Sequence, residues 1–219
     1  MWHKTLTYAK CKNIIGEKIK TFYKQAKNAS FKGDKMENRA WAKTLLEIYR
    51  YLETLCNSID EIVKRTSLSG FGVSLDTKFS AEKIIELTNK KKTLINLKVL
   101  VEDGLSKLND ADIKILTLFY IDGVTAKNLS SMYNINIRTF FRRKSIALTK
   151  LFEMFKQSGY TANRLSLELQ NENWIMNIYK NNLHFLTCKK EPTINYNFIL
   201  KKAIAELKNF QKQKVAYTF

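Results

Sequence analysis

A chain of 219 residues that contains one proline, Pro192, and only seven glycines has few built-in ways to stop a helix. Strict alternation of apolar and polar residues, the mark of half-buried strands, is hard to find in it. Apolar residues recur instead at spacings of three and four. That pattern predicts an all-α fold.

Taken in order, Trp2 to Lys27 reads as a basic amphipathic helix, with Leu6, Ile19, Phe22 and Tyr23 in its stripe and seven lysines against Glu17. Such a helix suits an anionic membrane surface, a basic arm on DNA, or simple docking on a core. Asn28–Gly33 is expected to be a loop. From Asp34 to Lys64, Leu45, Tyr49, Leu52, Cys56, Ile59 and Val63 form a heptad seam. Ser67–Lys78, with two glycines and three serines, is the clearest linker. Ser80 is expected to cap the next helix, where Leu87, Leu94, Leu97, Val101, Leu105 and Leu108 line one side. Lys90, Lys91 and Lys92 read as a solvated face. Residues 1–108 are thus predicted to form an N-terminal helical hairpin or coiled coil, which is also the expected surface for a homodimer.

Residues 109–158 carry the densest set of helix signals. Asn109 is a good N-cap, with Asp110 and Asp112 in the first turn, where the helix dipole favours anions. Ile113, Leu116, Phe119 and Tyr120 make an apolar face, and Asp122-Gly123 ends the helix with a left-handed cap. Thr125 caps a short helix whose buried positions are expected at Leu129 and Met132. Tyr133-Asn134-Ile135 supplies a tight turn, Asn134 taking the left-handed conformation. Asn136 caps a third helix, expected to span 136–150. This is the spacing of a trihelical helix-turn-helix.

The third helix carries charge of one sign. Arg138, Arg142, Arg143, Lys144 and Lys150 are basic, and no acid occurs between Asn136 and Lys150. Three of the chain's seven arginines fall in that short run, although lysine outnumbers arginine 31 to 7 overall. The net charge of +18 divides as +9, +4 and +5 over residues 1–108, 109–158 and 159–219, so charge alone does not locate a site. Arginine clustering does, because its planar fork matches phosphate and guanine edges. Arg138 and Arg142 are assigned to base edges. Ile137 and Phe141 are candidates for thymine methyls, Phe141 having burial as its alternative. Arg143, Lys144 and Lys150 are assigned to phosphates, and the free backbone N–H groups behind Asn136, with Thr125, complete the expected DNA surface.

The pattern Ile115-Leu116, Tyr120, Asp122-Gly123, Thr125, Leu129, Ile135-Asn136, Thr139-Phe140, Arg143, Ala147-Leu148 and Leu151 resembles region 4 of the sigma-70 class, the domain that reads the promoter −35 element. The resemblance covers about 45 residues. No upstream segment resembles region 2, so the arrangement is closest to short phage-type regulators of low-GC Gram-positive bacteria, including the ArpU group. The resemblance implies a DNA-binding transcription regulator that uses no cofactor and has double-stranded DNA, with RNA polymerase, as partners.

Residues 159–219 are expected to form a C-terminal helical region. Gly159-Tyr160-Thr161-Ala162-Asn163-Arg164-Leu165-Ser166 echoes Gly123-Val124-Thr125-Ala126-Lys127-Asn128-Leu129-Ser130. The echo is either a degenerate second helix-turn-helix or a coincidence of capping signals. Its second helix would be Asn173–Lys180, with Trp174, Ile175, Ile178 and Tyr179 suited to a core or a partner surface. Asn182–Thr193 is expected to be irregular or briefly extended, and a last helix to run from Tyr196 to Lys212.

Cys11, Cys56 and Cys188 are scattered and odd in number, which predicts reduced thiols rather than disulfides or zinc. Neither a membrane-spanning run nor a secretory signal is evident, so a cytoplasmic, nucleoid-associated protein is expected. Without a phosphate loop, metal-spaced ligands or a nucleophile elbow, an enzyme is not expected. The competing expectation is an interaction module that binds RNA polymerase or a sigma factor and uses the helix-turn-helix as scaffold.

Overall fold

The computed structural model describes the backbone of residues 3–69, 77–188, 201, 204 and 205, and the side chains of 34–68, 80–187, 201, 204 and 205. Every regular element among them is helical. α1 (His3–Ser69) runs 67 residues without a break, about 100 Å at the helical rise of ~1.5 Å per residue. The loop expected at Asn28–Gly33 is therefore absent. A single glycine costs a helix only about 1 kcal/mol, too little to end one. α2 (Thr77–Ser106) likewise begins ahead of the expected Ser80 cap. The apolar stripe expected for Trp2–Lys27, the centre of the linker, Pro192 and most of the last expected helix lie outside the described residues or side chains. Lys201, Ile204 and Ala205 are helical.

α1 and α2 form an antiparallel hairpin. Lys91 meets Asp60 at 2.6 Å, Lys98 meets Glu53 at 3.6 Å, and the Tyr49 hydroxyl donates to Glu102 at 2.8 Å. The partner number falls as the first rises, so the two helices of the hairpin run oppositely. Lys91 thus helps to set the register instead of lying on a purely solvated face. The seam is made by Leu45, Ile48, Leu52, Leu55, Ile59 and Ile62, all buried. Tyr49, Cys56 and Val63, expected in that seam, are only partly buried beside it. On α2, Leu87, Leu94, Leu97 and Val101 are buried as expected, joined by Leu100.

α1 is also the axis on which the rest of the chain assembles. Between Ala40 and Ile48 nearly every side chain is buried, polar Thr44 and Glu47 included. A helix enclosed all round lies at the centre of its fold. α5 (Ile137–Gln157), α6 (Ala162–Glu168) and α7 (Asn173–Cys188) pack on it, and one core continues through residues from all three stretches of the chain. Trp174, Ile175, Ile178 and Tyr179 face this core. The Tyr179 ring stacks on Trp41 with centroids 4.0 Å apart. The Asn182 amide donates to Thr44 Oγ1 at 3.0 Å and to Glu47 Oε2 at 2.7 Å. Anchored there, α7 continues as helix to Cys188, where irregular or briefly extended chain was expected from Asn182 on.

α2 approaches α5 at Gly104. A Cβ there would stand 2.5 Å from Phe155 Cε1 and 3.1 Å from Leu151 Cδ1. Phe155 is fully buried and has nowhere to swing. Gly104→Ala is therefore expected to destabilise the protein by about 1–3 kcal/mol through overpacking, measured as a lower urea midpoint with an unchanged slope.

Candidate nucleic-acid interface

A second, smaller core builds the central trihelical unit. α3 (Asp110–Leu116) starts at Asn109, whose side chain accepts from the Asp112 N–H at 2.9 Å. It continues into a π-helical turn, Thr117–Ile121, closed by Gly123 at φ 73°. α4 (Ala126–Met132) is capped by Thr125, which accepts from the Asn128 N–H at 3.3 Å. Asn134, at φ 48°, turns the chain, and Asn136 caps α5 by accepting from the Arg138 N–H at 2.8 Å. Ile115, Leu129 and Phe140, one from each helix, fill the centre, with Ile135 packed against them. Met132 was expected there but is 66% exposed. The partly buried Tyr133 joins that cluster instead.

α5 extends seven residues beyond the expected Lys150, to Gln157. Its two halves do different work. Leu148, Leu151, Phe152 and Phe155 are buried in the main core. Over the first two turns Arg138, Arg142 and Arg143 are exposed, and Ile137 and Phe141 remain 47% and 41% exposed. Among the described residues no carboxylate pairs with any of these three arginines. Thr125 and Asn136 are exposed as caps on the same unit.

Two of the expected phosphate contacts are otherwise engaged. The Lys150 ammonium meets the nearly buried Asp112 carboxylate at 2.5 Å, tying α5 to α3. Lys144 lies over the Phe119 ring, 4.0 Å from its centroid, and over Phe141 at 4.8 Å. Aromatic faces attract cations electrostatically, so Lys144 is held beside the exposed first turns of α5 rather than extended from them.

α1 brings in residues that no local signal ties to this unit. Arg39 Nη1 donates to Ser145 Oγ at 2.6 Å, which sets α1 against α5 just past the exposed turns. Lys43, Glu47, Arg50 and Tyr51 border a cavity of about 580 Å³ whose far wall is the π-helical turn, Thr125, Phe141 and Lys144. Burial, with the Glu47 charge adding to it, pushes the Tyr120 phenol in that wall well above its ordinary pKa.

The capping frame of α4 recurs downstream. Gly159 has φ 85°, Thr161 caps α6 by accepting from the Arg164 N–H at 3.3 Å, and Leu165 is buried as Leu129 is. α6 and α7 follow α5 as α4 and α5 follow α3. The helix that would read DNA in this second unit is α7, whose apolar side faces α1. Among the described residues no helix is long and apolar enough to cross a membrane, and no group of His, Cys, Asp or Glu is arranged to hold a metal ion. The chain matches no protein-family model, and neither curated proteins nor solved structures show significant similarity to it.

Proposed function

We propose that the chain is a sequence-specific double-stranded DNA-binding transcription regulator that inserts the first turns of α5 into the major groove. The observation that carries this reading is the surface of those turns. Three unpaired arginines and two half-exposed apolar side chains share one helix end, with no acid between Ile137 and Lys150. An α-helix fits the major groove, and its N-terminal residues reach the base edges. Arg138 and Arg142 stand one helical turn apart and serve as the base readers. Arg143 serves the phosphates. Lys150 contributes less to the phosphates than its position in sequence suggests, because contact with DNA competes with Asp112. The likeness of this unit to sigma region 4 agrees with the same role.

Selection of genomic double-stranded fragments by the purified full-length protein tests the proposal. The expected result is a shared short sequence in the retained fragments, with the logarithm of affinity falling linearly with the logarithm of salt concentration. Retention without a common sequence would remove specificity from the reading. Absence of retention at low salt would remove DNA altogether.

A further inference from the structure

We propose that the cavity between α1 and the π-helical turn is a binding site for a small organic anion built on a flat ring. At about 580 Å³ the cavity falls in the range of roughly 300–1,000 Å³ typical of small-molecule sites. Its charge is predominantly positive. Lys43, Arg50 and Lys144 line it, and the one carboxylate in its wall, Glu47, already accepts from the Asn182 amide and lies 3.6 Å from Lys43. Arg50 is exposed, and among the described residues no carboxylate pairs with it.

The lining is also aromatic, with Tyr51, Phe119, Tyr120, Phe141 and Phe185 contributing. Three cations already lie over these rings, Lys43 over Phe185 at 4.7 Å, Lys144 over Phe119 at 4.0 Å and Arg50 over Tyr51 at 5.7 Å. Anion-binding groups and ring faces therefore alternate round one volume, which suits a ligand that offers both a charge and a π surface.

An independent observation points to an occupant. Tyr120 lines the cavity and is 5% exposed, yet its hydroxyl has no hydrogen-bond partner among the described residues. A buried phenol left without a partner is uncommon, because the unmade bond is costly. Tyr120 and its neighbour Phe119 are presented by the π-helical turn, a rare distortion that is frequent at functional sites. The hydroxyl is covered by the cavity wall, so an occupant carrying an acceptor would reach it through a small shift of that wall while its charge meets Arg50. Phe141 and Lys144 belong to α5, so an occupant would also touch the helix assigned to DNA. This last link, and it alone, rests on the DNA reading.

Calorimetric titration of the full-length protein tests the site without DNA. One arm uses adenosine monophosphate and the other salicylate, with adenosine and benzyl alcohol as their uncharged counterparts. At least one anion is expected to bind at a single site, about tenfold or more tighter than its neutral counterpart. Which arm binds distinguishes a phosphate from a carboxylate ligand. Arg50→Gln is expected to weaken binding about tenfold with the melting temperature unchanged. Tyr120→Phe is expected to weaken binding while raising the melting temperature of the free protein, since it removes the unmet donor. A merely structural Tyr120 would raise the melting temperature and leave binding alone. Failure of both anions to bind at millimolar concentration, or binding indifferent to both substitutions, overturns the proposal. Neither result depends on whether α5 reads a duplex.

Discussion

Replacing Trp41 with alanine is expected to lower the unfolding free energy by about 3–5 kcal/mol, the cost of emptying a large core site. Trp41 is completely buried, lies in the enclosed part of α1 and stacks on Tyr179 of α7. Removing the indole opens a void between two helices more than a hundred residues apart in sequence. Domains of ordinary stability hold about 5–15 kcal/mol, so the loss is a large share of the total. Urea unfolding followed by circular dichroism measures it. Because one core runs from the hairpin through α5 to α7, the variant should still unfold in a single transition. A loss below about 1 kcal/mol would mean that α7 does not dock where Tyr179 meets Trp41.

Alanine at Arg138 or Arg142 is expected to cost about 1–3 kcal/mol of binding to the selected sequence, and the pair together should bring affinity close to that for unrelated DNA. Each guanidinium is exposed and free of a carboxylate, so little internal structure is lost with it. Helix content and melting temperature should therefore stay at wild-type values. Arg143→Ala should behave differently, weakening all sequences alike and reducing the salt slope by about 1. Gel-shift titrations on the selected and scrambled sequences at several salt concentrations separate the two patterns. If the Arg138 and Arg142 variants keep their preference, these residues do not read bases.

The parts of this architecture legible in sequence are those specified by local chemistry. Asn109, Thr125, Asn136 and Thr161 each carry a side-chain oxygen suited to a cap, and each accepts a hydrogen bond at a helix start. Gly123, Asn134 and Gly159 can take a positive φ, and they do. Leu129, Phe140, Ala147 and Leu151 repeat at helical spacing and are buried. The illegible parts depend on tertiary contact. The segment from Ala40 to Ile48 has no apolar stripe because it is enclosed on nearly every side, so periodicity could not mark it as central. In the hairpin, Leu45, Leu52 and Ile59 were recognisable, but the alternate positions fell one residue away, on Ile48, Leu55 and Ile62. Short apolar runs such as Ile48-Tyr49 fit either register. The cavity brings Lys43 and Arg50 to Phe119 and Lys144, residues far apart in the chain. The fold alone joins them.

α5 holds its outer end in solvent and its inner end between α1, α2 and α3. Its 21 residues contain neither glycine nor proline, so the span of about 31 Å has no hinge. It behaves as a cantilever: a load on the tip passes directly to its root beside Leu151 and Phe155. A duplex seated on the tip would meet a fixed approach angle, and any bending needed to clear the rest of the molecule would fall on the nucleic acid.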